Sequence, residues 1–165
     1  MPLEGGKRDR MTLESVLRQI EADLTARGWF DSGRQHLPIN VIDAYPGDQD
    51  QEVPLNTMAF SFGDSAQRMM ELGSNAEFHV WPVYVDFYGQ SDAVTRHILG
   101  DIYDFLGKNP VLPVYDYDMA TPTVDFHLQV VEESVAKSYP TRATNPWQKH
   151  WGIVSFLVED ERTNA

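Results

Sequence analysis

Cysteine is absent from the 165 residues, and long apolar runs are absent as well. The lack of cysteine excludes disulfides and thiolate metal ligands. No stretch reaches the roughly 18 apolar residues of a membrane-spanning helix, since even the segment Phe78 to Tyr88 is short and contains Asp86. The first eleven residues lack the apolar core of a signal peptide. We therefore expect a soluble protein that has no membrane partner.

Basic residues are also scarce, with 13 Lys and Arg against 25 Asp and Glu and a formal net charge of −12. Nucleic-acid binders gain affinity by neutralising phosphates, so this balance argues against a protein that grips DNA or RNA. An acidic surface commonly serves solubility. It would equally suit a protein that lies beside DNA without holding it, and charge alone does not separate the two interpretations.

The common catalytic motifs are missing, including the G-x-S-x-G nucleophile elbow, the phosphate-binding loop and the dinucleotide-binding G-x-G-x-x-G. None of the five histidines has the spacing of a helical zinc motif. The acids Asp48, Asp50 and Glu52 superficially resemble a calcium loop, but Gly47 precedes them and no terminal glutamate follows at the required position. We predict no catalytic residue, no metal, no cofactor and no enzymatic activity.

What is present is the composition of a folded domain, with 42% hydrophobic, 12% aromatic and 23% charged residues. A chain of this length fits one core. Gly5, Gly6 and the charged residues around them predict a flexible arm over 1–11. A single domain is expected over 12–158, and a polar tail over 159–165.

Two amphipathic helices are predicted. The first begins at a Thr12 cap and ends at Gly28, with apolar residues spaced three and four apart at Leu13, Val16, Leu17, Ile20 and Leu24. The second begins at Ser91 or Asp92 and stops at Gly107, with an apolar stripe formed by Val94, Ile98, Ile102 and Phe105. Asp101 and Asp104 lie off this stripe, and their i, i+3 spacing is typical of solvated acids.

The strand signals lie between and after these helices. Short strands are predicted near 39–42 and 57–62, then a longer one over about 77–88 that is apolar on both faces, as in a strand covered on two sides. Pro82 predicts a local break in its pairing. Turn residues fill 64–76, and 109–122 is Pro-rich and extended, while 123–137 and 147–158 predict an antiparallel pair.

The resulting fold class is α+β, a mainly antiparallel sheet with two helices packed on it. The predicted element order is helix, three strands, helix and a long hairpin. The aromatic residues Trp147 and Trp151 fit core packing and contact with another subunit equally well.

The segment Glu71 to Leu106 resembles the central part of tail terminator proteins of long-tailed bacteriophages, particularly those of actinobacteria. That part has an L-G-S-N turn, a strand of the form E-x-x-W-x-x-Y-V-D-x-Y and a helix with G-D-I-x-D-x-L. The matching residues are Leu72, Gly73, Ser74, Asn75, Trp81, Tyr84, Val85, Asp86, Tyr88, Gly100, Asp101, Ile102, Asp104 and Leu106. The close match covers about a quarter of the chain, and the chain departs from the pattern at Pro82 and at Gly89-Gln90.

The resemblance implies a structural virion protein without catalytic groups. Identical copies would form a hexameric ring at the head-proximal end of the tail, end the polymerisation of the tube, and offer a docking surface to the head connector. Its partners would be itself, the tail tube protein and the head–tail connector protein, and DNA would pass without specific binding. Assembly would occur in the host cytoplasm.

Under this interpretation the rigid strand and helix form the body of the subunit. The arm, the loop 43–56 and the segment 109–122 would be free for contacts, with Asp48, Asp50 and Glu52 facing the lumen. Two alternatives stay open: another head–tail joining protein of the neck, and a monomeric acidic module that mimics DNA. A small hydrolase would need a nucleophile or metal cluster that the sequence does not supply.

Overall fold

The computed structural model describes residues 3–33, 35–42, 53–63, 66–69, 76–137 and 150–163. They form two helices and seven strands, in the order α1 (Gly5–Ala26), β1 (Asn40–Ile42), β2 (Thr57–Phe62), β3 (Ala66–Met69), β4 (Ala76–Tyr88), α2 (Asp92–Lys108), β5 (Val111–Tyr115), β6 (Val124–Lys137) and β7 (Trp151–Thr163). The predicted α+β class with a mainly antiparallel sheet is confirmed. The order differs from the predicted one by two extra strands, β3 and β5.

The centre of the sheet is the pair of long strands β4 and β7, which run antiparallel from Ala76 opposite Thr163 to Tyr88 opposite Trp151. The strands follow the order β1-β2-β4-β7-β6-β5, and β3 also pairs with β4. All described pairings are antiparallel except that of β1 with β2. The long strand predicted over 77–88 and the antiparallel pairing of the last two strands are confirmed.

Pro82 interrupts the pairing of β4 on one edge. Toward β7 the register continues, with Pro82 opposite Leu157. On the other edge the partner changes from β2, whose pairing ends at Val83, to β3, whose pairing begins at Val80. The Pro82 carbonyl accepts a hydrogen bond from the Gly63 backbone at 2.9 Å. In an antiparallel ladder the N–H and C=O of one residue point to the same neighbouring strand. Proline has no N–H, so the hydrogen bond that Pro82 cannot donate falls on the side of β2 and β3, where one partner strand ends and the next begins.

Both helices pack on one face of the sheet, which we call the covered face. The odd-numbered residues of β4 and the even-numbered residues of β7 point to it because side chains alternate along a strand. They share one buried cluster with the apolar stripes of the helices, and its members include Met11, Val16, Ile20, Leu24, Trp81, Val83, Val85, Phe87, Ile98, Ile102, Leu106, Val154, Phe156 and Val158. The stripes predicted for both helices thus belong to the same buried cluster as the central strands.

The opposite side of β4 and β7 we call the open face. It carries Phe78, Val80, Pro82, Tyr84, Asp86 and Tyr88 of β4 with Trp151, Ile153, Ser155 and Leu157 of β7. Neither described helix contributes to it, since both use the covered face. The strand predicted to be covered on two sides is therefore covered by a helical layer on one side only within the described part of the chain.

The predicted flexible arm over 1–11 is wrong for the residues that the structure describes. Helix α1 begins at Gly5 with Glu4 as its N-cap, so Thr12 lies inside the helix, where its hydroxyl donates to the Arg8 carbonyl. Leu3 is only 1% exposed and belongs to the core cluster. The apolar Leu3 and the tertiary contacts of the first helical turns outweigh the local preference of the glycines for coil.

Long-range ion pairs hold the beginning of α1. Lys7 Nζ lies 3.0 Å from Asp116 Oδ2. Arg8 donates from Nε and Nη2 to the two oxygens of Asp160 at 2.9 and 2.6 Å, and its guanidinium lies 3.7 Å from the centre of the Phe126 ring. A bidentate pair of this kind fixes both distance and orientation. These partners are more than a hundred residues apart in the chain, so no local pattern could predict them.

The predicted polar tail over 159–165 is also wrong, because β7 continues to Thr163 and Asp160 is fully buried under Arg8. The extended segment over 109–122 is not free either, since Val111–Tyr115 forms β5 on β6. Helix α1 occupies the outer edge of β5: Ser15 Oγ accepts from the Tyr115 backbone, and Gln19 donates to the Pro113 carbonyl. Pro113 has no N–H to offer there, which suits an edge strand.

Helix α2 begins as predicted, with Ser91 Oγ accepting from the Val94 backbone at 3.2 Å. It runs one residue past the predicted stop at Gly107, to Lys108. Neither of the described helices is long and apolar enough to cross a membrane.

Candidate interaction surfaces

Several residues singled out in the sequence lie outside the described ranges. These are the acids Asp48, Asp50 and Glu52, the tryptophan Trp147, and the turn Leu72, Gly73, Ser74 and Asn75. Their proposed roles stay predictions. Among the residues that the structure does describe, no group of three potential ligands could hold a metal ion.

The open face is the first candidate surface. Tyr84 lies in the middle of β4 and is 37% exposed, although its strand is the most central of the sheet together with β7. The diagonal residues Ile153 and Leu157, and Pro82 two residues before Tyr84 on the same strand, are half-buried. A partly exposed apolar area on central strands is typical of a surface that contacts another molecule.

Asp86 lies within this face and is 2% exposed. It accepts a hydrogen bond from the Trp151 indole nitrogen at 2.8 Å, and Trp151 stacks on Tyr88 with ring centres 6.0 Å apart and 11° between planes. Val53 packs against the same two rings. Burial raises the pKa of Asp86 to about 6, and the indole donor offsets only part of this rise. Asp86 therefore keeps its proton to a higher pH than an ordinary aspartate does.

The sequence singled out Asp86 and Trp151 separately but not their contact. Trp151 could belong to the core or to a subunit contact, and the structure places it half-buried at the margin of the open face. The antiparallel register sets Trp151 opposite Tyr88, and this pairing brings its indole to Asp86, two residues away on the same face. The pairing register of β4 and β7 would have predicted this contact. Asp86 and Trp151 are 65 positions apart in the chain, so no local pattern indicates it.

Asp101 and Asp104 join the two helices instead of being merely solvated. Arg27, just after α1, donates to Asp101 Oδ1 at 3.1 Å and to Asp104 Oδ2 at 2.8 Å. The Trp29 indole donates to the other Asp101 oxygen at 2.8 Å. The hydrogen bond from Arg27 lowers the pKa of Asp104 below its usual value, and the hydrogen bond from Lys108 lowers it further. The two acids of the G-D-I-x-D motif thus dock the end of α1 onto α2.

The other motif residues have different environments. Trp81 is buried on the covered face, and its indole nitrogen has no hydrogen-bond partner among the described residues. Gly100 lies on the exposed side of α2, where an added Cβ would meet nothing within 4 Å. The helix therefore sets no steric requirement for glycine at this position.

Many of the described carboxylates are engaged by basic side chains. Six such ion pairs are Glu14 with Arg18, Asp23 with Arg27, Asp92 with Arg96, Asp116 with Lys7, Asp118 with Arg10 and Asp160 with Arg8. A protein that mimics DNA needs carboxylates that stay available at phosphate-like spacing. These six acids stabilise the chain's own helices and strands, which disfavours that alternative.

Comparison of the sequence with protein-family models and with curated proteins gave no match. The functional interpretation consequently depends on the residue pattern and on the surfaces described above.

Proposed function

We propose that this protein is a structural virion subunit that closes into a ring at the head-proximal end of a phage tail, where it ends tube polymerisation and receives the head connector. The proposal joins the resemblance of residues 71–106 to tail terminator proteins with one structural observation. That observation is the open face, where the apolar Tyr84 is partly exposed on a central strand.

The open face suits contact between copies for a physical reason. Burying the exposed parts of Tyr84, Ile153 and Leu157 against a neighbour would remove apolar area from water, at about 25 cal/mol per Å². In a ring, each copy uses one patch to contact a different patch of the next copy, and the chain of contacts closes. The ion pairs of the described helices leave those helices rigid while the open face provides the contact.

The ring is tested by electron microscopy of the purified protein, alone and mixed with purified tail tubes. We expect annuli, or caps at one end of the tubes. Protein that forms neither, even at high concentration and with tubes present, would refute the proposal.

The contribution of the open face is tested by a matched pair of substitutions. Tyr84→Lys places a charge on the open face, whereas Tyr103→Lys places the same charge on α2 at a tyrosine that is 43% exposed. We expect Tyr84→Lys to abolish annuli and caps and Tyr103→Lys to leave them intact. Equal behaviour of the two variants would mean that copies contact each other through another surface.

A close alternative is a different neck protein that joins heads to tails. Deletion of the gene separates the two roles, because loss of a terminator gives tails of uncontrolled length, whereas loss of a joining protein leaves finished tails without heads. Tails of normal length on filled heads would exclude both roles.

A further inference from the structure

The open face contains a buried carboxyl group that contact between copies does not by itself require. Asp86 lies two residues from Tyr84 on the same side of β4 and is 2% exposed. The Trp151 indole is the single hydrogen-bond donor that the described residues bring to this carboxyl group. An ionised carboxylate can accept about four hydrogen bonds, so a charged Asp86 is poorly solvated at this site. The folded subunit therefore already disfavours the charged form.

The strands on both sides of Asp86 bring no charge to it. Its partner on β2 is Ala59, and its partner on β7 is Ile153. Cross-strand partners and residues two positions away share one face of a sheet. The other described side chains of this face around Asp86 are Thr57 and Ser61 of β2, Tyr84 and Tyr88 of β4, and Trp151 and Ser155 of β7. Of these only the tyrosines are ionisable, and a tyrosine carries no positive charge.

The segment before β2 and the start of β7 complete the surroundings of Asp86. Val53 packs against the rings of Tyr88 and Trp151. His150, the residue before Trp151, is a further titratable group beside this face. Burial raises the pKa of Asp86 and the indole donor lowers it in part, so the shift comes from the lack of water and not from a neighbouring charge.

Covering the open face would extend this lack of water. Tyr84 is 37% exposed and Ile153 is half-buried, so water reaches the sheet next to Asp86 in the free subunit. A neighbouring copy on these side chains would exclude that water and make a charge at Asp86 still less favourable. The neighbour also carries a formal net charge of −12, which adds repulsion. Both effects favour the protonated carboxyl group.

We propose that closure of the ring takes up a proton at Asp86, so that the contact between copies is strongest in mildly acidic solution and weakens as the pH rises. The inference rests on the proposed function, because it concerns the regulation of the same open face. Asp86 would then determine the pH above which free subunits are favoured over rings.

The size of the effect follows from proton linkage. The pKa of Asp86 is about 6 in the free subunit, and in the ring it would be higher. The contact has its full strength below both values, weakens between them and is constant above both. If the pKa in the ring is about 7, each contact weakens about five-fold between pH 6 and pH 8.

The linkage is tested by sedimentation velocity of the full chain from pH 5 to pH 8 at constant ionic strength. With tail tubes present, the fraction of capped tube ends in electron micrographs gives the same quantity. Asp86→Asn keeps an acceptor for the Trp151 indole but cannot titrate. Asp118→Asn is the matched control: it removes the same charge from an exposed residue whose pKa is lowered by its hydrogen bond to Arg10.

We expect the parent protein and Asp118→Asn to show parallel pH dependence. Between pH 6 and pH 8 their association should weaken about five-fold more than that of Asp86→Asn. Calorimetric dilution of parent rings at pH 7, in two buffers that differ in ionisation enthalpy, tests the linkage without a substitution. Protons should be released as the rings dissociate. Absence of release, or uptake of protons, would contradict the inference.

The other outcomes separate this inference from the ring itself. Rings whose pH dependence is equal in Asp86→Asn and Asp118→Asn would overturn the inference and leave the proposed function intact. Contacts that strengthen as the pH rises would also overturn it, since a cation of the neighbour would then pair with ionised Asp86. Absence of rings and caps at every pH would refute the proposed function, and the inference with it.

Discussion

The two faces of the central strands differ although they are built from alternate residues of the same sequence. On the covered face Val83, Val85 and Phe156 are almost completely buried under the helices. On the open face their neighbours Tyr84 and Leu157 keep part of their surface exposed, and Asp86 is a buried carboxyl group with a raised pKa. The comparison teaches that the covered face is uniformly buried, whereas the open face combines buried residues such as Val80 and Tyr88 with groups that cost stability or remain available for contact.

The largest expected effect comes from truncating adjacent residues on opposite faces. Phe156→Ala leaves a cavity in the core and should lower the free energy of unfolding by about 3–5 kcal/mol. Leu157→Ala, on the half-buried open face, should lower it by about 1 kcal/mol. Urea denaturation of both variants as monomers measures the difference. Equal losses would mean that the open face contributes as much to folding as the covered face.

A smaller effect, of opposite sign, is expected at Asp86. Asp86→Asn keeps the acceptor for the Trp151 indole and removes a buried charge, so it should raise the free energy of unfolding at pH 8, on the order of 1–3 kcal/mol. At pH 4 the two proteins should be nearly equally stable. A variant that is less stable at pH 8 would show that the ionised carboxylate is stabilising.

The pH dependence follows from the direction of the shift. The ordinary pKa of this carboxyl group is 3.8 and burial raises it to about 6 in the folded chain, so between these values the folded state binds more protons than the unfolded state. Stability contributed by Asp86 is therefore greatest below pH 4, falls as the pH rises to about 6, and is constant above that. Thermal unfolding at a series of pH values should show this component in the parent protein and lack it in Asp86→Asn.

The smallest expected effect concerns the ion pairs between the helices on the covered face. Arg27→Gln breaks the link from α1 to Asp101 and Asp104 and should lower the free energy of unfolding by about 1–2 kcal/mol. This difference from the parent protein should be smaller in high salt, because salt screens the ion pairs of the parent. Arg96→Gln disrupts an exposed pair with Asp92 and should cost less than about 0.5 kcal/mol. If Arg27→Gln has no effect on urea denaturation, packing alone holds the two helices together.

The elements with a strong local pattern were predictable from the sequence. The long apolar run placed β4 within one residue of its observed start, and Ser91 was one of the two predicted caps of α2. Apolar spacing also identified the buried stripe of α1. These features depend on residues close together in the chain, which is the information that periodicity contains.

The features that the sequence did not reveal depend on distant partners. Gly5 and Gly6 predicted coil, but Leu3 packs in the core, Lys7 pairs with Asp116 just after β5, and Arg8 pairs with Asp160 on β7. The prolines of segment 109–122 led to the prediction of an extended loop where β5 forms. Pro113 is nevertheless compatible with an edge strand beside α1.

For the candidate surfaces as well, single residues could be identified from the sequence, but their arrangement could not. Tyr84, Asp86 and Trp151 were singled out individually by the resemblance or by their aromatic character. Their arrangement on one face follows from the β4–β7 register, which becomes known only when the two strands are paired.

The pairing of Arg8 with Asp160 has a practical consequence for protein engineering. It holds the start of α1 within hydrogen-bond distance of the end of β7, since Arg8 also donates to the Glu161 carbonyl. A short peptide linker could therefore join the start of α1 to the end of β7, and the chain could be opened elsewhere by circular permutation. Fluorescent labels placed at the start of α1 or at the end of β7 would likewise mark the same corner of the protein.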